Sequence, residues 1–394
     1  MPLNIITTAL IDGTDQIPYY ETIKSVAPFL AVGGAIKYWS RGTSNIWERQ
    51  LHGKVYIVTG ATSQGMGTSV ILKMASLGAQ LIILTRTIDE WSTEWCNDLR
   101  DQTKNELIYL EKCDLGDLWA VRKFVTGWLD NSPPRRLDGV LIMSGDMEPC
   151  GIPSISRPVR KSTEDGLEIQ IGVNFVGVFH LIDLLQPSFK VQPPDRDVRI
   201  IYTTCWLQSM GKINLEDPLW QSAKYENALK HFASSKLQMG LCLLELQRRL
   251  FHEMKSMPSR DGVERTGKNV TFAVVQPGTM RSLSLRRVLS NGSIVQLVLL
   301  YCTLLYPFLW LFTKSGDRGG QSVMHAVMSP ELEEVNADET NSVKYISECS
   351  LIPFVRKEFH DSELQKTLFD STKKHIEQLE KKLAVKRNAD KKKR

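Results

Sequence analysis

A glycine-rich loop follows the first apolar run of the sequence, KVYIVTG at residues 54–60. Glycine lets the backbone approach a ligand closely, and the helical spacing that begins after the loop brings the free N–H groups of a helix start beside it. Such an arrangement can bind the pyrophosphate of a dinucleotide. The residues that we predict to contact this group are Gly60, Thr62, Ser63, Gly65, Met66 and Gly67.

Arg86 comes directly after the second apolar run, QLIILT at residues 80–85. At about this distance from the glycine loop, a protein that binds NAD carries an Asp or Glu for the ribose hydroxyls. A cation in that place would instead attract the 2′-phosphate of NADP, and the other interpretation is an ordinary surface arginine after a strand. We therefore predict NADP(H) as the cofactor.

Six apolar runs rich in Val, Ile and Tyr alternate with stretches of helical spacing. Near-continuous hydrophobicity, rather than strict alternation, is typical of strands that are buried on both faces of a parallel sheet. The order predicts an α/β fold, a Rossmann-type doubly wound parallel sheet, in a single domain with N-terminal and C-terminal extensions. The runs lie at 54–60, 80–85, 107–114, 139–145, 198–204 and 270–278.

The composition is that of an ordinary globular protein, with 42% hydrophobic and 24% charged residues among 394. The seven cysteines form no CxxC pair and the seven histidines no HxxH pair, so we predict neither a disulfide framework nor a metal site. The net charge of +5 arises in residues 373–394, where ten Lys or Arg stand against three acidic residues. The rest of the chain is nearly neutral, which argues against a nucleic-acid partner.

Further motifs occur in the order and spacing of a known family. They include CDLGDLWAVRKF, LDGVLIMSG, GLEIQIGVNFVGVFHLIDLLQP, FASSKLQMGLCLLELQRRL and VVQPGTMRS. Together with the glycine loop, these motifs resemble the short-chain dehydrogenase/reductase family, and within it the retinol-dehydrogenase-like branch seen in fungal oxidoreductases. The resemblance runs from about residue 53 to residue 332, and it implies a Rossmann fold with a nicotinamide cofactor.

The resemblance also implies roles for individual residues. Asn174 corresponds to the family's structural and proton-relay asparagine. Lys236 corresponds to the lysine that binds the nicotinamide ribose and lowers the pKa of the catalytic acid. The further cofactor contacts that the resemblance implies are Asp114 and Leu115 near the adenine, Gly145 after the fourth strand, and Pro277, Gly278 and Thr279 at the nicotinamide.

The sequence departs from the family's pattern at the positions that move protons. Phe232 replaces the tyrosine of the motif YxxxK, and Cys205, next to Thr204, replaces the catalytic serine. Reduction of a carbonyl needs a hydride from the cofactor and a proton from a positioned donor, which phenylalanine cannot supply. Cys205 is one candidate substitute, and Thr204 could polarise a carbonyl. Tyr225 is another, provided that residues 218–228 fold back toward the nicotinamide.

Two functions remain open at this point. The first is an NADP(H)-dependent oxidoreductase that acts on an alcohol or carbonyl of a lipophilic small molecule, such as a retinoid, steroid, sphingoid or polyprenoid, at a membrane. The second is a catalytically degenerate relative, marked by Phe232, that serves as a cofactor-binding scaffold or regulator in a membrane lipid-enzyme complex.

Two apolar segments bear on membrane association. Between Lys24 and Lys37 run twelve uncharged residues, which could dip into an interface or cover the domain core but are too few to span a bilayer. Residues 288–313 carry no charge and are long enough for a membrane segment, with a buried helix as the alternative. Because the family packs the following segment on the domain, we expect 288–313 to leave and return by one face, broken near Pro307, or to lie in the interface.

The predicted domain covers residues 51–332 and includes the apolar segment 288–313. An N-terminal extension at 1–50 precedes it, and a C-terminal extension at 333–394 follows. Residues 331–360 show no regular pattern of apolar residues.

The C-terminal extension contains a predicted helix at 362–383, with Ser362 and Gln365 spaced as a capping box. This helix is either a charged, solvated helix that packs weakly on the domain or a site for a protein partner. The last residues, Lys391 to Arg394, resemble a dilysine retrieval signal, and a basic tail attracted to anionic lipids explains them equally. Both interpretations place the tail in the cytosol at a membrane. We predict the cytosolic face of the endoplasmic reticulum membrane, with lipid droplets or another intracellular membrane as the alternative.

Overall fold

The computed structural model describes residues 19–62, 65–145, 147–149, 160–222, 225–259, 267–290, 293–333 and 343–393. Ser63, one of the predicted cofactor contacts, lies outside the described residues, so its role stays a prediction. The same is true of Arg394 at the end of the basic tail and of the first 18 residues of the N-terminal extension.

The strands among the described residues form one sheet. They are β1 (Val55–Thr59), β2 (Gln80–Thr85), β3 (Ile108–Lys112), β4 (Gly139–Ile142), β5 (Val198–Thr203), β6 (Val270–Gln276), β7 (Lys344–Ser347) and β8 (Ser350–Leu351). The spatial order is β3-β2-β1-β4-β5-β6-β7-β8, and all neighbours are parallel except β7 and β8. Six of these strands are the predicted ones, so the predicted fold class is confirmed. The order reverses between β1 and β4, and a crevice for ligands is expected at their carboxyl ends.

Helices cover both faces of the sheet. They are α1 (Tyr20–Ser40), α2 (Met66–Ser76), α3 (Glu90–Thr103), α4 (Leu118–Leu129), α5 (Ile169–Lys190), α6 (Ala228–Lys255), α7 (Leu283–Ser290), α8 (Ile294–Phe312), α9 (Gly316–Met328) and α10 (Ser362–Lys393). One face of the sheet forms a core with α2, α3 and α9, and the other forms a core with α4, α5 and α6. Both faces are thus buried, which explains why the strands are apolar throughout instead of alternating.

The sheet extends beyond the predicted domain end at residue 332. β7 pairs in parallel with β6, and β8 turns back along β7. The predicted absence of regular structure at 331–360 is therefore wrong for this part of the chain. β7 has only four residues, of which Tyr345 and Ile346 are buried, and so short a run carries too few positions to show a strand period.

The predicted capping box at the start of α10 is also wrong. The backbone N–H of Leu364 donates to the carboxylate of Asp361 at 3.0 Å, so Asp361 is the capping residue and Ser362 is the first helical residue. The Gln365 amide reaches the carbonyl of Glu358 at 3.1 Å instead. Aspartate is as good a cap as serine, so the spacing alone could not distinguish them. The helix continues to Lys393, past the predicted end at 383.

The apolar side of α10 packs firmly on the domain. Leu368 and Phe369 are buried, and the Phe369 ring lies 5.0 Å from that of Phe179 on α5. Glu380 accepts two hydrogen bonds of 2.8 Å from the Arg122 guanidinium on α4, which holds the pKa of Glu380 near 2 despite the opposing effect of its burial. The alternative of a weakly packed helix is therefore wrong, because α10 completes one of the two cores.

α1 and α8 differ from the other helices because they expose apolar side chains. Phe29 and Leu30 of α1 are 79% and 70% exposed, so this segment does not cover the domain core. α8 is long and apolar enough to cross a membrane, and very little of it is buried. α5 passes the same test of length and composition, but it is largely buried and serves as a core helix.

The segment that carries α7 and α8 leaves and rejoins the domain at one place. The Arg281 N–H donates to the Lys314 carbonyl at 3.0 Å, and the Lys314 N–H donates to the Thr279 carbonyl at 3.0 Å. α9 begins two residues later and packs on α2 and on the sheet. This geometry agrees with the expectation that residues 288–313 return to the face from which they depart.

α8 is continuous, so the expected break near Pro307 does not occur. The helix is π-helical over Leu297–Leu305 and α-helical over Tyr306–Phe312. Pro307 is the second residue of the α-helical part, and the chain stays helical on both sides of it.

Candidate active site

A cleft with a volume of about 460 Å³ opens at the carboxyl ends of β1, β2, β4 and β5. It brings together most of the predicted site residues, and we refer to it as the cleft. Those that line it are Gly60, Thr62, Met66, Gly67, Arg86, Asp114, Leu115, Gly145, Thr204, Cys205, Lys236 and Pro277. A larger cavity of about 820 Å³ lies between residues 45–52, α2 and α9, but none of the predicted site residues lines it.

The glycine loop has the shape that close backbone approach requires. Gly60 has a φ of 74°, and a Cβ there would lie 2.3 Å from the Ser144 nitrogen. A Cβ on Gly67 would lie 2.2 Å from the Gly60 carbonyl oxygen. Gly65 has a φ of 124° and caps α2 without lining the cleft. The glycines thus allow the loop to pack closely against β4 and the start of α2, and the binding of a pyrophosphate group there stays a prediction.

Arg86 lies at the far end of the cleft, directly after β2. Its side chain is exposed, and it makes no hydrogen bond or ion pair with the residues that the structure describes. Asp114 and Leu115 line the same end, and the Asp114 carboxylate accepts the Gly116 N–H at 2.8 Å. Arg86 is thus a cation at the cleft whose charge is not neutralised by a neighbouring carboxylate.

Lys236 occupies the other end of the cleft and is only 3% exposed. Its ammonium donates to the carbonyls of Ser144 at 3.3 Å and Thr203 at 3.1 Å. The same nitrogen lies 4.9 Å from the ring centre of Tyr202 and 5.8 Å from that of Phe232. Two carbonyl oxygens and two aromatic faces therefore hold the charge, and no carboxylate among the described residues pairs with it.

Burial acts on both titratable groups at this end of the cleft. It lowers the pKa of Lys236 to about 8, with the nearby Cys205 opposing the shift. Burial also raises the pKa of the Cys205 thiol, against the charge of Lys236 and the N–H groups of Leu207 and Gln208. Both shifts favour the uncharged forms, as expected for groups removed from water.

A chain of hydrogen bonds leads from Thr204 away from the cleft. The Thr204 hydroxyl donates to the Gln208 side chain at 2.8 Å, and the Gln208 amide donates to the Tyr345 hydroxyl at 3.0 Å. Tyr345 in turn donates to the side chain of Gln276. This network fixes the Thr204 hydroxyl in place, and burial raises the pKa of Tyr345 to about 12.

Besides Gly65, four of the predicted site residues that the structure describes do not line the cleft. Tyr225 precedes α6 and its ring packs 4.7 Å from His231, so residues 218–228 do not bring it to Lys236. Asn174 is fully buried in a π-helical turn of α5, Gly172–Gly177, beneath the cleft residue Val173. A π turn of this kind is common near functional sites.

Gly278 and Thr279 belong to the junction where the α7–α8 segment joins the domain. A Cβ on Gly278, whose φ is 84°, would lie 2.7 Å from the Lys314 ammonium. Lys314 is buried and forms an ion pair with Glu348 after β7. Gly278 and Thr279 thus connect the cleft to the base of α8 and do not line the cleft themselves.

The rim of the cleft contains residues that the sequence analysis missed. They are Met280, Ser282, Leu283, Ser284 and Arg287, at and before the start of α7, with Trp91 at the opposite end. Tyr202, Gln208 and Tyr345 were also missed. Tyr202 and Tyr345 carried no signal, because they lie in apolar strands where an aromatic residue is expected to be core.

Comparison with known proteins identifies the family. Residues 54–214 match the short chain dehydrogenase family. The chain is 71% identical to an uncharacterized oxidoreductase of Saccharomyces cerevisiae over 99% of this chain and 96% of the relative. This chain belongs to the short-chain dehydrogenase family. Members of this family are oxidoreductases that bind nicotinamide cofactors. The protein is therefore an oxidoreductase of this family, and its sheet has the Rossmann fold.

More distant relatives agree with this assignment. An uncharacterized oxidoreductase of Schizosaccharomyces pombe is 35% identical over 97% of each chain. Retinol dehydrogenase 14 of Homo sapiens is 30% identical over 80% of this chain and 84% of its own. A crystal structure of a protein from Mycobacterium paratuberculosis has a TM-score of 0.54 at 20% identity, over 85% of this chain and 98% of its own, and supports the fold alone.

Proposed function

We propose that this protein is an NADP(H)-dependent oxidoreductase that acts on an alcohol or carbonyl of a lipophilic substrate at a membrane. The observation that carries the proposal is the continuity of the cleft, which extends from the glycine loop past Lys236 to the rim at α7. The chain then continues from α7 into the exposed apolar helix α8. One end of the cleft can therefore hold a dinucleotide, while the other end opens beside an apolar surface.

The residues of the cleft have different roles in the proposed reaction. When bound, the nicotinamide exchanges a hydride with the reacting carbon. Lys236 contributes a positive charge that little solvent screens, and the Thr204 hydroxyl, which donates its proton to Gln208, can accept a hydrogen bond beside it. Phe232 keeps the shape of an aromatic wall and is 7% exposed at the cleft, but it has no proton to transfer.

The choice of NADP(H) rests on Arg86. An unpaired guanidinium at the end of β2 can bind a 2′-phosphate in a bidentate manner, whereas an NAD-specific site needs an acid there. Two carboxylates line this end of the cleft, and each accepts a backbone N–H: Asp89 caps α3 by accepting the Ser92 N–H at 2.8 Å, and Asp114 accepts the Gly116 N–H at 2.8 Å. The local charge therefore favours the phosphorylated cofactor.

We expect NADPH to bind more tightly than NADH by about ten- to a hundredfold, because a charge-assisted contact contributes about 1.5–3 kcal/mol. Arg86→Ala should remove most of this difference and leave NADH affinity nearly unchanged. Titration of the purified protein, followed by NADPH fluorescence and thermal shift, measures both affinities.

Arg135→Ala is a suitable control, since Arg135 precedes the amino end of β4, whereas the cleft lies at the carboxyl ends of the strands. The Arg135 guanidinium lies over the Trp128 ring. Equal affinity of the native protein for NADPH and NADH would overturn the assignment to Arg86. Failure to bind either cofactor would overturn the proposed oxidoreductase function itself.

The proposal that the substrate is lipophilic rests on the surface beside the rim. Leu299, Leu304 and Phe308 of α8 are each more than 60% exposed, and soluble proteins rarely leave a contiguous apolar patch of this kind uncovered. A lipid leaflet is the partner that fits such a surface. A substrate dissolved in that leaflet would then lie close to the rim of the cleft.

The end of α8 at the domain is built for an environment with little water. The carbonyls of Leu309, Trp310 and Thr313 accept hydrogen bonds from Arg281, and the Leu311 carbonyl accepts one of 2.7 Å from Ser40. The last carbonyls of a helix lack partners within the helix, and in lipid each unsatisfied group costs several kcal/mol. Lys37 of α1 also donates to two of these carbonyls, which joins α1 to α8.

These contacts support a monotopic arrangement in which α1 and α8 enter one leaflet together. The uncharged part of α1 spans twelve residues, about 18 Å of helix, which is roughly half of the hydrocarbon thickness. We infer that the domain and its basic tail lie on the cytosolic face, at the endoplasmic reticulum membrane or at a lipid droplet.

The alternative function, a cofactor-binding scaffold without catalytic activity, is favoured by one observation, Phe232. A protein partner in such a complex could use α10, but its apolar side already packs on α6. A partner would therefore meet the outer, charged side of α10. Binding of NADPH without turnover of any aldehyde or ketone would select this alternative.

A further inference from the structure

The Lys236 ammonium lines the cleft, and it carries a proton that it could release to a substrate. We infer that Lys236 is the proton donor for carbonyl reduction in this protein, acting directly or through one water molecule. The inference rests on the proposed oxidoreductase function and replaces the tyrosine that the sequence lacks. It gives Lys236 a catalytic step in addition to cofactor binding.

The position of the ammonium allows such a transfer. Two of its three N–H groups are directed to the carbonyls of Ser144 and Thr203, and the side chain lines the cleft. The backbone at Gly145 leaves the necessary space, because a Cβ there would lie 3.0 Å from the nitrogen. The third N–H has no acceptor among the described residues, so it can be directed to a substrate oxygen or a water molecule.

The surroundings adjust the acidity of this ammonium. Burial brings the pKa of Lys236 to about 8, close to the pH at which a general acid works best near neutrality. Tyr202 packs against it from β5 and stays neutral, since burial raises the pKa of its hydroxyl. Cys205 faces it from the end of β5, and burial raises the pKa of that thiol too. Lys236 is therefore the charged member of the group.

The other candidate donors are less suitable. Tyr225 packs on His231 away from the cleft, and the Tyr202 hydroxyl is fully buried beneath the cleft. The Thr204 hydroxyl is engaged with Gln208, and an aliphatic hydroxyl gives up a proton far less readily than an ammonium group. Cys205 lines the cleft, but its thiol holds its proton more tightly than Lys236 does.

The proposed step conserves atoms and charge. In reduction, the carbonyl carbon gains the hydride of NADPH, and the carbonyl oxygen takes one proton from the Lys236 ammonium. The products are the alcohol, NADP⁺ and a neutral Lys236 amine, which solvent then protonates. In the oxidative direction the neutral amine accepts the proton of the alcohol, so the two directions require opposite forms of Lys236.

This requirement fixes the sign of the pH dependence. At saturating NADPH, the rate of reduction should be level below the pKa of Lys236 and should fall about tenfold per pH unit above pH 8. Oxidation should rise over the same interval. Lys236→Arg keeps a positive charge but cannot release a proton, so it should retain NADPH affinity within about threefold and lose at least about a hundredfold in turnover.

The experiment combines three measurements on the full chain: NADPH affinity, pH–rate profiles with aliphatic aldehydes, and titration of the lysine side chains by NMR of ¹³Cε-labelled protein. A resonance that titrates near pH 8 in the native protein and is missing in Lys236→Arg would identify the group without reference to activity. Lys255→Arg makes the same change at the exposed end of α6. It should alter neither the NADPH affinity nor the pH–rate profiles, and the resonance that titrates near pH 8 should remain.

Two results would overturn the inference while leaving the proposed oxidoreductase function intact. The first is full activity of Lys236→Arg. The second is a Lys236 resonance that titrates near 10, as in an exposed lysine. NADPH binding without any reduction by the native protein, or loss of NADPH binding, would instead overturn the proposed function. Rescue of Lys236→Ala by small primary amines would support the inference further.

Discussion

Phe232→Tyr should raise NADPH-dependent reduction of a lipophilic aldehyde by roughly a hundredfold. The ring lines the cleft beside Lys236, and its surroundings already fit an aromatic side chain, so the substitution adds one hydroxyl to an existing shape. A positioned general acid contributes about 10²- to 10⁴-fold, and the gain should lie at the low end if Lys236 already supplies a proton. Steady-state kinetics at saturating NADPH measure the effect.

Phe232→Leu is the matched control, because it changes the same side chain without adding a proton donor and should not raise the rate. The gain should also disappear when Phe232→Tyr is combined with Lys236→Met, since the new phenol needs the neighbouring charge to lower its pKa. No gain in Phe232→Tyr, with NADPH binding intact, would contradict the assignment of this end of the cleft and favour the scaffold function.

Much of the fold could be predicted from the sequence because its strands are fully buried. Runs such as QLIILT, which are apolar on both faces, are typical of a parallel sheet that is covered on both sides. The glycine loop then identifies the preceding run as the first strand of the domain. β7 could not be found, because four residues provide no period and its stability comes from pairing with β6. The cap of α10 was predicted wrongly because Asp361 and Ser362 are adjacent, and either side chain could accept a hydrogen bond from a backbone N–H of the first turn.

The candidate site could be predicted only in part, and the reason is geometric. Residues that follow strands, such as Arg86 and Cys205, reach the cleft because the carboxyl ends of parallel strands share one edge. The rim at Met280 to Arg287 depends on the path of α7, which the sequence does not determine. Gly278 and Thr279 were placed in the cleft by resemblance, whereas they lie at the junction beside Lys314, which is buried and forms an ion pair with the partly exposed Glu348.

Replacement of four exposed residues of α8 by serine should release the protein from membranes. The four residues are Val298, Leu299, Leu304 and Phe308. These side chains contact little of the domain, so the folded state should keep its melting temperature. If each contributes about 1–1.5 kcal/mol to partitioning, the set contributes about 5 kcal/mol, or more than about a thousandfold in binding. Co-sedimentation of the purified protein with phosphatidylcholine and phosphatidylserine vesicles measures this change.

The control variant carries serine at four other exposed apolar residues, Leu107, Leu129, Ile352 and Val385, and should sediment with vesicles like the native protein. Both variants should bind NADPH as the native protein does, because none of the eight residues lines the cleft. Turnover of a vesicle-embedded aldehyde should fall in the first variant alone, while a water-soluble aldehyde should react equally with all three proteins. Unchanged sedimentation of the first variant would contradict the membrane role of α8, and protection of the C-terminal tail from protease added to sealed microsomes would contradict the same-face topology.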